Sequence, residues 1–176
     1  DVCGAPGGKS INAALKMSEQ GDCGRVIARD LSDYKVALID ENIKRLNITN
    51  IQTQVYDALD CDESLINKAD IVIADLPCSG LGIIGRKPDI KYNASPEKLQ
   101  SLVDLQRDIL KVVSRYVKSG GVLMYSTCTI NRAENEDNAD WICKESGFTK
   151  DGEYHQLLPA NNSGMDGFFV ARLIKN

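Results

Sequence analysis

Short apolar runs alternate along the chain with segments whose apolar residues recur every three or four positions, a pattern that predicts strands followed by helices. Ile11, Ala14 and Leu15 keep helical spacing and predict a helix over 7–19. The run 25–28 predicts a strand ending at Asp30, after which Ser32 caps a helix through Arg45 or Leu46 with Val36, Ile39, Ile43 and Leu46 on one face. Residues 51–55 predict a third strand, counting one that ends at 1–3, and it stops just before Asp57. The fourth is 69–74, ending at Asp75-Leu76-Pro77-Cys78. A loop over 79–93 follows, and Ser95-Pro96 opens a helix to about Val117, Pro occupying its first turn. Leu99, Leu102, Val103, Leu105, Ile109, Leu110, Val112 and Val113 form its apolar side. The last parallel strand is 121–125, and the polar segment Ser126-Thr127-Cys128-Thr129 is expected to stop it. Asn131, with Glu134 three residues on, predicts the start of an acidic helix over 131–145. Phe148 and its neighbours, with 167–174, predict a closing antiparallel pair.

Strand–helix alternation on this scale predicts an α/β fold, a mostly parallel, doubly wound sheet, here in one domain over 1–176. The first three residues read as the end of a strand whose start is missing, so the chain is expected to be the carboxyl-terminal portion of a longer protein. In such sheets ligands gather at the carboxyl ends of strands. Asp30, Asp57, Asp75 and Cys128 all fall at such ends.

Composition narrows the function. The chain is 43% hydrophobic and 26% charged, ordinary for a globular domain, and no apolar stretch reaches transmembrane length. Six scattered cysteines without a C-x-x-C pair, and a single His, fit neither a zinc site nor a disulfide scaffold. Reduced thiols in the cytoplasm, no metal and no membrane are the expectation. A net charge of −4 is too acidic for self-sufficient nucleic-acid binding, so any RNA would need a local basic patch or another domain.

The loop Cys3-Gly4-Ala5-Pro6-Gly7-Gly8-Lys9-Ser10 joins the first strand to the first helix and admits two readings. As a phosphate loop it has Gly-Lys-Ser, with 71–75 as a strand ending in a magnesium-binding Asp, but its first glycine position is Cys3. As an adenosyl site it pairs with Asp30, placed where a ribose-binding carboxylate belongs. A phosphate loop alone leaves Asp30, Asp57 and both strand-end cysteines without a role.

Four motifs in order, 1–9 (D-V-C-G-A-P-G-G-K), 75–80 (D-L-P-C-S-G), 86–91 (R-K-P-D-I-K) and 125–129 (Y-S-T-C-T), resemble the RNA 5-methylcytosine methyltransferase family, most of all its Sun/Fmu type acting on small-subunit ribosomal RNA. The match runs the length of the chain. Gly4 and Ser10 stand where Ala and Thr are usual, Arg29 precedes the ribose Asp, and Leu76 replaces an Ala; none of these removes a reactive group. The resemblance implies a Rossmann-like class I fold with S-adenosylmethionine as cofactor and RNA as partner. It implies Cys128 as nucleophile and Cys78 as the thiol that helps release product. Asp75 would serve cofactor and base, and Asp57 would lie near the adenine. Residues Cys3, Gly4, Ala5, Pro6, Gly7, Gly8 and Lys9 with Asp30 would hold the cofactor, and Lys9 is expected near the thiols. Arg86, Lys87 and Lys91 would hold RNA phosphates, and Tyr92 would stack a base. Cys3, Cys23, Cys61 and Cys143 are expected to be structural, and Trp141 to pack.

Overall fold

The computed structural model describes residues 1–159 and 164–176, and its contacts divide into two compact units, Asp1–Cys61 and Asp62–Asn176. In the first, α1 (Gly8–Glu19), β1 (Val26–Asp30), α2 (Asp33–Leu46) and β2 (Ile51–Val55) follow in order. β1 and β2 pair in parallel from Val26 opposite Ile51 to Asp30 opposite Val55. Residues 1–4 run along the other edge of β1: Asp1 N donates to Ile27 O, Arg29 N to Asp1 O, and Gly4 N to Arg29 O at 2.8–3.0 Å. That alternation is a parallel ladder and bears out the strand end expected there. Ile11, Ala14, Val26, Ala28, Val36 and Ile39 are buried as the core of this unit. Ser32 caps α2 as its position predicts, and Asn47 ends it at φ 54°.

The second unit contains β3 (Ala69–Asp75), α3 (Ile90–Asn93), α4 (Pro96–Val113), β4 (Val117–Thr127), α5 (Glu136–Ser146), β5 (Phe148–Lys150), β6 (His155–Leu157) and β7 (Phe168–Lys175). β3 pairs in parallel with β4; β7 runs antiparallel to β4 and carries β5 and β6 antiparallel to itself. Leu123, Tyr125, Phe169, Ala171 and Leu173 of the sheet are fully buried, as are Leu110, Val113 and Ile142 of the helices. Tyr125 meets Phe169 edge-on, with ring centroids 6.0 Å apart.

Several boundaries differ from expectation, each for a structural reason. The 79–93 segment contains the short helix α3 and a 3-10 turn at Leu81–Ile83. α4 stops at Val113, because Val117 already pairs with Ala69. The next pairing is Ile71 with Val122, so two steps along β3 face five along β4; the bulge is taken up at Gly120, φ 73°, and at Gly121, where a Cβ would lie 2.9 Å from Asp70 O. β4 also runs on through Ser126 and Thr127, the segment expected to stop it. Both pair with β7, and their hydroxyls are satisfied internally, Ser126 Oγ by Asp75 and Thr127 Oγ1 by Asn135. The 131–145 helix is two pieces, a 3-10 turn at Arg132–Glu134 and then α5.

Candidate active site

The second unit holds the thiols. Asp75 is the last residue of β3 and pairs with Ser126 of β4, whose hydroxyl donates to Asp75 Oδ1 at 2.8 Å. Cys128 follows directly on β4, and Cys78 lies three residues beyond β3. Adjacent parallel strands therefore deliver both sulfurs to one place, 3.2 Å apart. The two sulfurs share a hydrogen bond in which either could donate, and this contact is the main reason the Cys128 pKa falls from 9.0 to about 7. Burial and the Asp75 carboxylate oppose that fall, while the Lys87 charge assists it. Cys78 is driven in the opposite direction, well above the usual thiol range, by the same hydrogen bond and then by burial. One sulfur is thus held as a thiolate close to neutral pH, and thiolates are the nucleophilic form.

A polar network within the protein fixes the two loops that carry these sulfurs. Gln106 of α4 donates to Pro77 O at 2.9 Å, and Ser79 N donates to Glu134 Oε2 at 2.9 Å. Cys78 is therefore anchored through the residue before it and the residue after it. Gln106 Nε2 also donates to Glu134 Oε2 at 3.0 Å, and Asn131 Nδ2 to Glu134 Oε1 at 2.9 Å. The Tyr125 hydroxyl donates to Glu134 O, and burial raises its pKa. On the Cys128 side, Ser79 Oγ bonds Thr129 Oγ1 at 2.7 Å, Asn135 Nδ2 donates to Thr129 O at 3.0 Å, and Gly82 N to Cys128 O at 3.0 Å. A Cβ at Gly82 would lie 2.7 Å from Cys128 O, so only glycine lets the loops approach this closely.

Gln106, Glu134, Asn135 and Asn138 are fully buried, and none was expected as a site residue. Gln106 had a signal, since it falls among Val103, Ile109 and Leu110 on the apolar side of its helix and breaks that stripe. Glu134 was expected as a helix-capping partner of Asn131. The contact with Asn131 forms, but through its side-chain amide, and the carboxylate turns inward to Ser79.

Of the three predicted RNA contacts, Lys87 is the one whose charge reaches Cys128. Arg86 is paired with Asp166 at 3.0 Å, and Lys91 lies over the ring of the exposed Tyr92 at 4.8 Å. Trp141 packs beneath Arg107, at 5.2 Å from ring centre to guanidinium.

The first unit builds a separate cradle. Ala5 N donates to Asp30 Oδ2 at 2.9 Å, Leu31 N to Oδ1 at 2.8 Å, and Lys35 pairs with Oδ1 at 3.0 Å. The Gly-rich loop is thereby tied to the end of β1. Gly7 takes φ 105° with Ile39 Cγ2 3.1 Å from its would-be Cβ, whereas nothing lies within 4 Å of that position at Gly8. The loop thus closes on its own core at Gly7 and opens outward at Gly8, where Lys9 is exposed on the first turn of α1. Ser10 is buried and donates to Asp1 Oδ2 at 2.6 Å. Its hydroxyl is turned into the protein, whereas a phosphate loop presents that hydroxyl to magnesium. Asp57, two residues past β2, accepts from Leu59 N at 2.9 Å. Among the described residues no group of three or more His, Cys, Asp or Glu is placed to hold a metal, and no helix is long and apolar enough to cross a membrane.

The fold is the Rossmann-like arrangement of the class I methyltransferases. It superposes on the solved structure of PH0851 with a TM-score of 0.89 at 31% identity, over 98% of this chain and 41% of that one. On NSun6 from Pyrococcus horikoshii, solved with SFG, the TM-score is 0.82 at 26% identity, over 99% of this chain and 47% of that one. Residues 1–174 match the family described as 16S rRNA methyltransferase RsmB/F, and the chain belongs to that family. A curated relative, the probable ribosomal RNA small subunit methyltransferase B of Bacillus subtilis (strain 168), is 37% identical over 99% of this chain and 42% of its own length. The chain thus spans about two fifths of that relative.

Proposed function

We propose that this chain is the catalytic portion of an enzyme that methylates carbon 5 of a cytosine in small-subunit ribosomal RNA, with S-adenosylmethionine as methyl donor. The observation that carries this reading is the pair of strand-end thiols 3.2 Å apart, one of them poised as a thiolate near neutral pH. Carbon 5 of cytosine is too weak a nucleophile to take a methyl group unaided. A thiolate that adds to carbon 6 makes an enamine whose carbon 5 is nucleophilic, which divides one hard step into easier ones. Cys128 is that nucleophile, because its thiol is the one shifted toward the thiolate, with the Lys87 charge assisting. Cys78 serves the release of the methylated base.

Asp75 supports the adduct at the cytosine edge, around ring nitrogen 3, and also serves the cofactor. When bound, S-adenosylmethionine supplies an electrophilic methyl group. Cys3, Gly4, Ala5, Pro6, Gly7, Gly8 and Lys9 would hold it together with Asp30 and Asp57. The open space above Gly8 and the Asp30 carboxylate already tied to the loop fit that role. Arg86, Lys87 and Lys91 hold RNA phosphates, with Tyr92 as a stacking surface. The target cytosine is unstacked, since a thiol has no path to carbon 6 inside a helix. A separate RNA-binding region supplies the rest of the grip, consistent with the net charge of −4.

The test uses the full-length protein carrying Cys78→Ala, incubated with unmodified small-subunit RNA and S-adenosylmethionine and run on a denaturing gel. A protein–RNA band that disappears when Cys128→Ala is added supports the assignment. A band that requires Cys78 reverses the two roles, and no band despite cofactor binding overturns the covalent reading.

A further inference from the structure

We propose that Glu134 is a positioning residue that holds the Cys78 thiol against Cys128 and so sets the rate at which the methylated base is released. The proposal rests on the reading of Cys78 as the release thiol. Glu134 is fully buried, and the groups that reach its carboxylate are all hydrogen-bond donors: Ser79 N and Gln106 Nε2 on Oε2, Asn131 Nδ2 on Oε1. An acceptor-only carboxylate meets three converging donors, whereas an amide of the same shape turns its own NH2 toward at least one of them. Burying a carboxylate among neutral donors costs stability that an apolar side chain would not. What the burial secures is local. One oxygen takes the amide immediately after Cys78 and shares Gln106 with the carbonyl immediately before it. The backbone carbonyl of the same Glu134 takes the Tyr125 hydroxyl, which ties the network to the strand that delivers Cys128. Glu134 therefore fixes the spacing of two sulfurs carried on different strands without touching either.

After methyl transfer, carbon 5 carries both a proton and the new methyl group. Release sends that proton to a water molecule acting as base, turns its bonding pair into the 5,6 double bond and returns the carbon 6–sulfur pair to Cys128 as a thiolate, which the Cys78 thiol stabilises by a hydrogen bond. Cys78 assists only while it stays within reach of that sulfur, and misplacement of a reacting group by about 1 Å costs on the order of a hundred-fold in rate.

The test compares Glu134→Gln with the unaltered full-length protein, using small-subunit RNA and S-adenosylmethionine. Expected is a covalent protein–RNA band that accumulates as expected for Cys78→Ala, with release slowed on the order of ten-fold or more. A second readout needs no RNA: the pH midpoint of Cys128 alkylation rises, because the displaced Cys78 no longer donates to it. A purely structural loss lowers the melting temperature but leaves that midpoint in place. An unchanged midpoint with no accumulated band, in a folded variant, overturns the proposal. If Glu134→Gln does not fold, Asn131→Ala, which removes only the donor to Oε1, is read the same way with a smaller shift expected. If even Cys78→Ala gives no band, the covalent reading has failed, and the alkylation midpoint then decides the positioning of Cys78 by itself.

Discussion

Replacing Cys78 with alanine removes the hydrogen bond that contributes most to the low pKa of Cys128, about 7 against an ordinary 9.0. The influences that raise it, burial and the Asp75 carboxylate, stay in place, while Lys87 continues to lower it. The balance therefore moves upward. Because Cys128 is partly open to water, which screens such interactions, the expected rise is about one unit, on the order of 1.4 kcal/mol between the two protonation states. At pH 7 the thiolate fraction then falls from roughly one half to roughly one tenth, and alkylation slows about five-fold. Iodoacetamide labelling across a pH series, quantified on the Cys128 peptide by mass spectrometry, reads this directly and excludes signal from the other cysteines. Cys78→Ser, which keeps a donor, is expected to fall between the two. A midpoint that stays near 7 in Cys78→Ala would show that the thiol pair is not the source of the shift. A midpoint that falls would show that Cys78 competes with Cys128 for the charge.

Lys87→Met removes a positive charge that lowers the Cys128 pKa, so its alkylation midpoint rises by a smaller amount than in Cys78→Ala. An equal or larger rise would transfer the main role from the hydrogen bond to the charge. Gly82→Ala forces a Cβ to within 2.7 Å of Cys128 O, against the backbone of Gly167, so the loops separate; Cys128 alkylation at pH 7 falls and stability drops by about 1–3 kcal/mol in urea titration. Tyr125→Phe leaves the buried Glu134 carbonyl without its donor and costs about 1–3 kcal/mol in the same assay, and an unchanged midpoint of unfolding would contradict the network described. Asp30→Ala unties the Gly-rich loop from β1 and is expected to abolish S-adenosylmethionine binding in calorimetry while leaving Cys128 alkylation unaffected.

Strands and helices were readable where one local rule sufficed. The β2 bounds coincide with the five residues from Ile51 to Val55, β-branched at every second position, and the α2 start with a Ser at its cap. The boundaries that moved depended on partners distant in sequence. β4 extends through Ser126 and Thr127 because β7 supplies their backbone bonds while Asp75 and Asn135 satisfy their hydroxyls. No window of ten residues contains that information. The same holds for the end of α4, fixed by where Val117 meets Ala69 across the sheet.

The chemistry-bearing residues and their supports differ in the same way. Cys78, Cys128 and Asp75 announce themselves because reactive side chains at strand ends are uncommon enough to notice and fall in recognisable motifs. Gln106 and Glu134 do not, since one reads as a polar interruption of an apolar face and the other as a helix cap. Yet two sulfurs brought to 3.2 Å on loops that follow different strands need those loops held on both sides, and loop backbone left to itself samples far wider separations. The buried amide and carboxylate supply that restraint. With the Cys78 backbone fixed at Pro77 and Ser79 and the Cys128 loop fixed at Gly82 and Asn135, the two sulfurs are held in contact, and the Lys87 charge favours the thiolate on Cys128. What holds the chain around each sulfur thus sets their spacing, and the charge nearby favours one of two identical side chains.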